Sequence, residues 1–212
     1  MRELIIIAEG GTEEDFAINS IRPYFNQHGI HSVTPIQVTM GSGSRGGLLK
    51  GSYRKLKKDA LRYLRADDVI VTTLIDYYHL PSDFPEYELA MSKVSLMDKI
   101  NHLEDAIKRD IDNYRFIPYI QLHEFEALLF TKIDGFKGLP DVSAAQLTTL
   151  ENILNEFENP ELINNGVETA PSKRLLNIIP GYQKKLYGSY IPLVNGFDSI
   201  LALDSIIGLK PS

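Results

Sequence analysis

Short, nearly unbroken apolar runs punctuate the N-terminal part of the chain, at Leu4–Ala8, Val69–Ile75 and Phe116–Leu122. None alternates apolar with polar residues, so each reads as a strand buried on both faces, as in a parallel sheet. Val33–Met40 reads as a further strand, and Pro35 places its start near a sheet edge. Between these runs the apolar residues change to helical spacing. Phe16, Ile18, Ile21 and Phe25 mark a helix from Glu13 to about Gln27. Leu49, Tyr53, Leu56, Ala60 and Leu64 mark another over Leu48–Leu64, and a long helix is expected over Ser92–Asn113. Strands alternating with helices predict an α/β fold, a mainly parallel, Rossmann-like sheet flanked by helices.

The pattern changes after the fourth run. The stretch from His123, HEFEALLF, turns helical. Ala144–Phe157, Ser172–Ile179 and Phe197–Leu209 follow as helices, the last one apolar and expected to dock on the core. Gly166–Pro171 reads as a loop. The chain is read as one domain over 1–212, with an α/β core over 1–130 and a mainly helical C-terminal extension over 140–212. A boundary, if the chain has one, falls near Gly135–Val142.

The ends of the apolar runs carry the chemistry. The first stops at Glu9, the third strand ends in Asp76, and the fourth is followed by Glu124 and Glu126. A carboxylate at the end of a buried strand is costly unless something pairs with it. Ligands of open α/β sheets bind at the carboxyl ends of the strands. Glu9 and Glu13 flank Gly10-Gly11, which suits a tight turn, with Thr12 as a helix cap and Asp15 three residues on. Glu14 reads as an ordinary acid at the positive end of a helix dipole. Three acid-ended strands predict one acidic cluster at a single sheet edge, containing Glu9, Asp76 and Glu124 or Glu126.

Composition narrows what such a cluster holds. Among 212 residues there are no cysteines and five histidines, and the histidines lack zinc-ligand spacing. Disulfides, thiolate metal sites and cysteine nucleophiles are excluded. Carboxylates alone select a hard cation, Mg²⁺ or Mn²⁺. Such a cation serves phosphodiester hydrolysis by activating water. Lys173 is the candidate for offsetting charge on the phosphate, and removal of Glu9 is expected to leave the fold intact or slightly more stable. No run approaches a membrane span and no signal peptide is read, so a cytoplasmic protein is expected.

The net charge of −6 argues against a general nucleic-acid coat. Between Arg45 and Arg65, however, eight basic residues accompany one acid, Asp59. Arg45, Lys50, Arg54, Lys57 and Lys58 are candidate contacts to a DNA or RNA backbone; the competing reading is a solvated helix face. Gly41, Gly43 and Gly46 match G-x-G-x-x-G but follow the second strand, not the first, and no Walker lysine follows them. The segment instead suits a phosphate at the start of a basic helix.

The stretch Glu9-Gly10-Gly11-Thr12-Glu13 is similar to the Glu-Gly-x-x-Glu of the overcoming-lysogenization-defect nucleases. With the acid-ended third strand it resembles the TOPRIM fold of topoisomerases, primases and those nucleases. The resemblance implies that Glu9 and Glu13 are metal ligands and that Asp76 is the first acid of the TOPRIM Asp-x-Asp. Tyr78 stands in the second acid's place, and Glu124 or Glu126 would supply that charge. The whole chain, including HEFEALLF and ETAPSKRL, resembles a small bacterial TOPRIM-like family, domain of unknown function 4276. That likeness implies a metal-dependent nuclease, working with an ATPase partner protein in anti-phage or mobile-element settings; a homo-oligomer is compatible with the sequence, which does not determine the oligomeric state. The alternatives are a catalytically weak nucleotide- or nucleic-acid-binding regulator of the same fold and, from the glycine pattern alone, a dinucleotide-dependent oxidoreductase.

Overall fold

In a computed structural model of the chain, which describes residues 3–38, 48, 51–78, 80–122, 124–157, 160, 163 and 169–201, the run Leu4–Ala8 is fully buried within strand β1 (Glu3–Ala8). β1 lies between β2 (Ser32–Gln37) and β3 (Val69–Asp76), parallel to both. Two short strands, β4 (Phe116–Ile117) and β5 (Ile120–Gln121), add to the far side of β3, again parallel. The order is β2-β1-β3-β4, with β5 also on β3. β2 is thus an edge strand, where Pro35 is tolerated for lack of an N–H.

The fourth apolar run forms two strands because Pro118 cannot donate to the ladder. The Thr73 hydroxyl fills the gap, donating to the Tyr119 carbonyl at 2.7 Å and accepting from the Tyr119 N–H at 2.8 Å.

The first helical stretch runs as α1 (Gly11–Phe16), a π-helical turn (Ala17–Ile21) and α2 (Arg22–Gln27). Pro23 sits in the first turn of α2, and the widened turn before it relieves the clash of a proline ring with the preceding helical carbonyls. Helix α3 (Ser52–Tyr63) connects β2 to β3. The stretch before β4 is two helices, α4 (Tyr87–Met91) and α5 (Leu96–Ile111), rather than one. Ser95 breaks it by capping α5, its hydroxyl accepting from the Asp98 N–H at 3.0 Å.

Ile5 and Ile7 of β1 join Val71 and Ile75 of β3 in one core with Leu56 and Ala60 of α3 and Leu103 and Ile107 of α5. Leu4 and Ile6 point to the other face. Right-handed crossovers put α1–α2 there, because β1→β2 and β2→β3 run in opposite directions across the sheet. The α/β class with a mainly parallel, helix-flanked sheet is therefore observed.

The chain divides into two compact units between Leu122 and His123. Among the described residues the second unit is helical throughout. Its core is the 3₁₀ segment Phe125–Thr131, where Phe125 to Phe130 are all buried. Around it lie α6 (Asp134–Lys137), α7 (Ala144–Glu156), α8 (Pro171–Ile178), α9 (Lys184–Asn195) and α10 (Phe197–Leu201). HEFEALLF is thus 3₁₀ over its last six residues, and α6 and α9 are helices the apolar pattern does not reveal. Gly135 is fixed by close approach: a Cβ there would lie 2.6 Å from Ile191 Cγ2 and 2.9 Å from the Ile191 carbonyl. The Asn195 side chain accepts from the Gly135 N–H at 2.8 Å and ties the same two helices together.

Candidate functional site

The five described strands of the first unit point the same way, so their carboxyl ends share one edge. From β1 the chain passes to β2 on one side and, after α3, to β3 on the other. The topological switch point therefore lies between β1 and β3, where ligands of open α/β sheets bind. Glu9 and Asp76 occupy the two strand ends that flank it. The Glu9 N–H donates to the Leu74 carbonyl at 3.0 Å, extending the ladder past β1. One Glu9 carboxylate oxygen, Oε2, accepts from the Asp76 N–H at 2.9 Å. The other, Oε1, accepts from the Leu48 N–H at 3.3 Å.

These contacts explain how an acid survives there. Charge-assisted bonds from backbone N–H groups offset the desolvation of the half-buried carboxylate. They also revise the expectation for its removal: without Glu9 two backbone donors lose their acceptor, so the fold loses stability rather than gaining it.

Glu13 lies in the first turn of α1 and is 6% exposed. The cap of α1 is Gly10, not Thr12, and no side chain caps it. Gly10 is extended at φ −153°, and neither it nor Gly11 has a left-handed φ. The expected glycine-dependent turn is thus a direct passage from extended strand into helix. Glu14 is more than a dipole acid, since its Oε2 accepts from Gln37 Nε2 at the end of β2, at 2.6 Å. Tyr78, in the place of a second acid, is half-buried beyond the end of β3.

The basic segment resolves into two parts. Arg54 and Lys58 are exposed on α3, as are Arg62 and, just past its end, Arg65. Lys57 instead turns to α5, where its ammonium lies 2.9 Å from Asp110 Oδ1. Arg45, Lys50 and the Gly41–Gly47 segment lie outside the described residues. The N-terminus of α3, expected to suit a phosphate, receives a carboxylate of the chain itself, as the Tyr53 N–H donates to Asp83 Oδ2 at 3.2 Å.

The remaining acids belong to the second unit. Glu124 Oε2 accepts from the Ser172 N–H at 3.0 Å, in the first turn of α8. Glu126 is 1% exposed. Lys184, at the start of α9, places its ammonium 3.3 Å from Glu126 Oε2. Burial pushes the Glu126 carboxyl above the ordinary carboxylate range, and the Lys184 charge pulls it partly back. Burial, reinforced by the Glu126 and Glu124 charges, holds the Tyr182 phenol protonated. Lys173 is exposed on α8. The cation that meets a candidate acid is thus Lys184, whose only sequence signal is the basic pair after Gln183. Glu104 on α5 gave no signal either. Its Oε1 accepts from the Ile120 N–H at 2.7 Å, and burial pushes its carboxyl up to about 7.

Among the described residues no three Asp, Glu or His side chains gather as a ready-made metal cage. The Glu9–Asp76 pair nevertheless fits a small hard cation. Magnesium keeps most of its waters and needs only one or two carboxylates plus substrate oxygens. Each Glu9 oxygen accepts one N–H and keeps a further lone pair.

The profile of one domain family, Domain of unknown function (DUF4276), matches residues 8–202. The chain belongs to this family. The matched span of the DUF4276 domain includes the switch-point acids Glu9 and Asp76 and also Glu124, Glu126 and Lys184. No curated protein and no solved structure matches the chain. Among the described residues no helix is long and apolar enough to cross a membrane.

Proposed function

We propose that this DUF4276 protein is a TOPRIM-like, Mg²⁺- or Mn²⁺-dependent nuclease that cleaves phosphodiesters of DNA or RNA in the cytoplasm, as the effector of an ATPase partner. One observation supports this reading above the others: two carboxylates, Glu9 and Asp76, flank the switch point of a parallel sheet. Glu9 and Asp76 are the residues that would hold the cation, with Glu13 of the first turn of α1 as a further ligand. A bound divalent cation supplies activation of water and withdrawal of charge from the scissile phosphate. Glu9 is held in place by the Asp76 and Leu48 N–H groups, so its carboxylate is positioned before any ligand arrives. Glu124, Glu126 and Lys173 belong to the second unit, and the reading rests on Glu9 and Asp76 without them.

A second reading has its own support. Both Glu9 oxygens already accept backbone hydrogen bonds, as a purely architectural acid would. That favours a nucleotide- or nucleic-acid-binding regulator of the same fold. Nicking of plasmid DNA and cleavage of labelled RNA separate the two, measured with Mg²⁺, Mn²⁺ or chelator, alone and with any ATPase encoded beside it. The nuclease loses all cleavage in chelator and in Glu9→Gln, and Glu9→Gln also loses Mn²⁺ binding. Cleavage that survives either change overturns the nuclease reading.

A further inference from the structure

Helix α3 buries Tyr53, Leu56, Ala60 and, just past its end, Leu64 against the sheet. At 100° per residue, the side opposite that face carries Arg54, Lys55, Lys58, Arg62 and Arg65, with Lys55 half-buried. Arg54, Lys58, Arg62 and Arg65 are exposed. Arg54, Lys58 and Arg62 lie on one i, i+4 ridge, about 6 Å apart along the axis, and Arg65 continues the file about 4.5 Å on. Lys57, at the flank, is drawn off by Asp110. What remains is the exposed ridge of Arg54, Lys58 and Arg62 with Lys55 beside it, and exposed acids, Asp67 and Asp68, beyond its far end.

The direction of the file is fixed. α3 begins at the carboxyl edge, close in sequence to Leu48, whose N–H is held by Glu9. It ends just before β3 begins. Arg54 is therefore the end nearest Glu9 and Asp76, and Arg65 the end farthest away.

We propose that this file binds one strand of a polynucleotide, phosphate by phosphate, and leads it toward the Glu9–Asp76 edge. The binding stands on the α3 geometry alone; the destination rests on the nuclease reading. A file with one cation per helical step matches the spacing of successive phosphates along an extended strand. Such a ridge follows one backbone along its length and does not span a groove to the second backbone of a duplex. Single-stranded substrate is thus the chemical class the surface recognises, through its phosphates and without sequence preference.

Fluorescence anisotropy with labelled single-stranded and duplex oligonucleotides tests this in chelator, so that cleavage plays no part. The single strand should bind more tightly than the duplex. Arg54→Gln/Lys58→Gln/Arg62→Gln should lose at least tenfold in affinity and flatten the log K against log salt slope by about 2, three contacts at about 0.7 each. Lys57→Gln should stay within twofold of the parent. Circular dichroism confirms that the triple variant, changed only at exposed positions, keeps its fold. A triple variant that binds like the parent, a duplex bound as tightly as the single strand, or a parent that binds neither overturns the proposal. Failure here with metal-dependent cleavage intact removes the track but not the nuclease. Binding as stated with no cleavage under any metal removes the nuclease but not the track.

Discussion

Glu9 in the first unit and Glu126 in the second are both acids in largely apolar surroundings, and the chain stabilises them by different means. Glu9 is half-buried and receives two backbone N–H groups, from Asp76 and Leu48. These donors are uncharged, so the site stays net negative and retains its attraction for a cation. Glu126 is almost wholly buried and is met by the Lys184 ammonium, with the Tyr182 phenol close by. A cation already on the spot cancels the charge that would draw in another. Two glutamates that look alike in sequence thus differ in what they are free to do, and the difference lies in their partners.

The largest effect comes from breaking the first arrangement. Glu9→Ala should abolish metal-dependent cleavage and also cost about 2 kcal/mol, because two backbone donors lose their acceptor. Glu9→Gln should be equally inactive but recover part of that stability through its one remaining oxygen. Urea unfolding of both variants checks this; a Glu9→Ala protein more stable than the parent would show that the carboxylate is strained rather than supported.

Glu104 sharpens the contrast, being half-buried with one backbone N–H donor. Its folded pKa is raised from 4.5 to about 7, so the folded state holds its proton more tightly than the unfolded one. The stability this confers is complete below pH 4.5 and is lost as pH rises to about 7. Glu104→Gln keeps the acceptor for Ile120 without the charge. It should leave stability at pH 4 nearly unchanged and raise it by about 2 kcal/mol at pH 8, given about 1.4 kcal/mol per pKa unit and some relaxation. A gain of the same size at both pH values would sink the assignment.

The smallest effect tests the second arrangement. Lys184→Met leaves Glu126 buried without its cation. A fully buried pair costs about 3–5 kcal/mol to break. Lys184 is 45% exposed, so screening reduces this to about 1 kcal/mol. Because the Glu126 pKa is already raised, the folded state tolerates the neutral acid, and the loss should grow as pH rises. Thermal melts of Lys184→Met and of Lys184→Met/Glu126→Gln across pH check it, with the double variant expected to lose the pH dependence.

Much of the first unit was legible because its strands are buried on both faces and so read as unbroken apolar runs. β1 and β3 fall where those runs lie, and Pro35 marks an edge strand as expected. The errors have local causes. Pro118 splits the fourth run because the ladder needs an N–H that proline lacks. Ser95 breaks the long helix by capping it. α9 escaped notice because its exposed side carries Leu186, Leu193 and Val194, which blurs the helical period, and because Pro192 lies within it. Glu9 and Asp76 could be named as strand-end acids, but nothing in their spacing revealed that each helps hold the other's strand.

The sequence by itself determined the buried strands, their parallel class, the presence of acids at their ends and the excess of cations over Arg45–Arg65. These are local properties, set by the polarity of neighbouring residues along the chain. Tertiary structure decided which charges remain free to meet a ligand. It gave Lys57 to Asp110 and Lys184 to Glu126, and left Arg54, Lys58 and Arg65 exposed, with Arg62 exposed over the Tyr63 ring. A charge is consumed by a partner within a few ångströms, and those partners come from residues 53 and 58 positions away in the chain. Only folding brings them together.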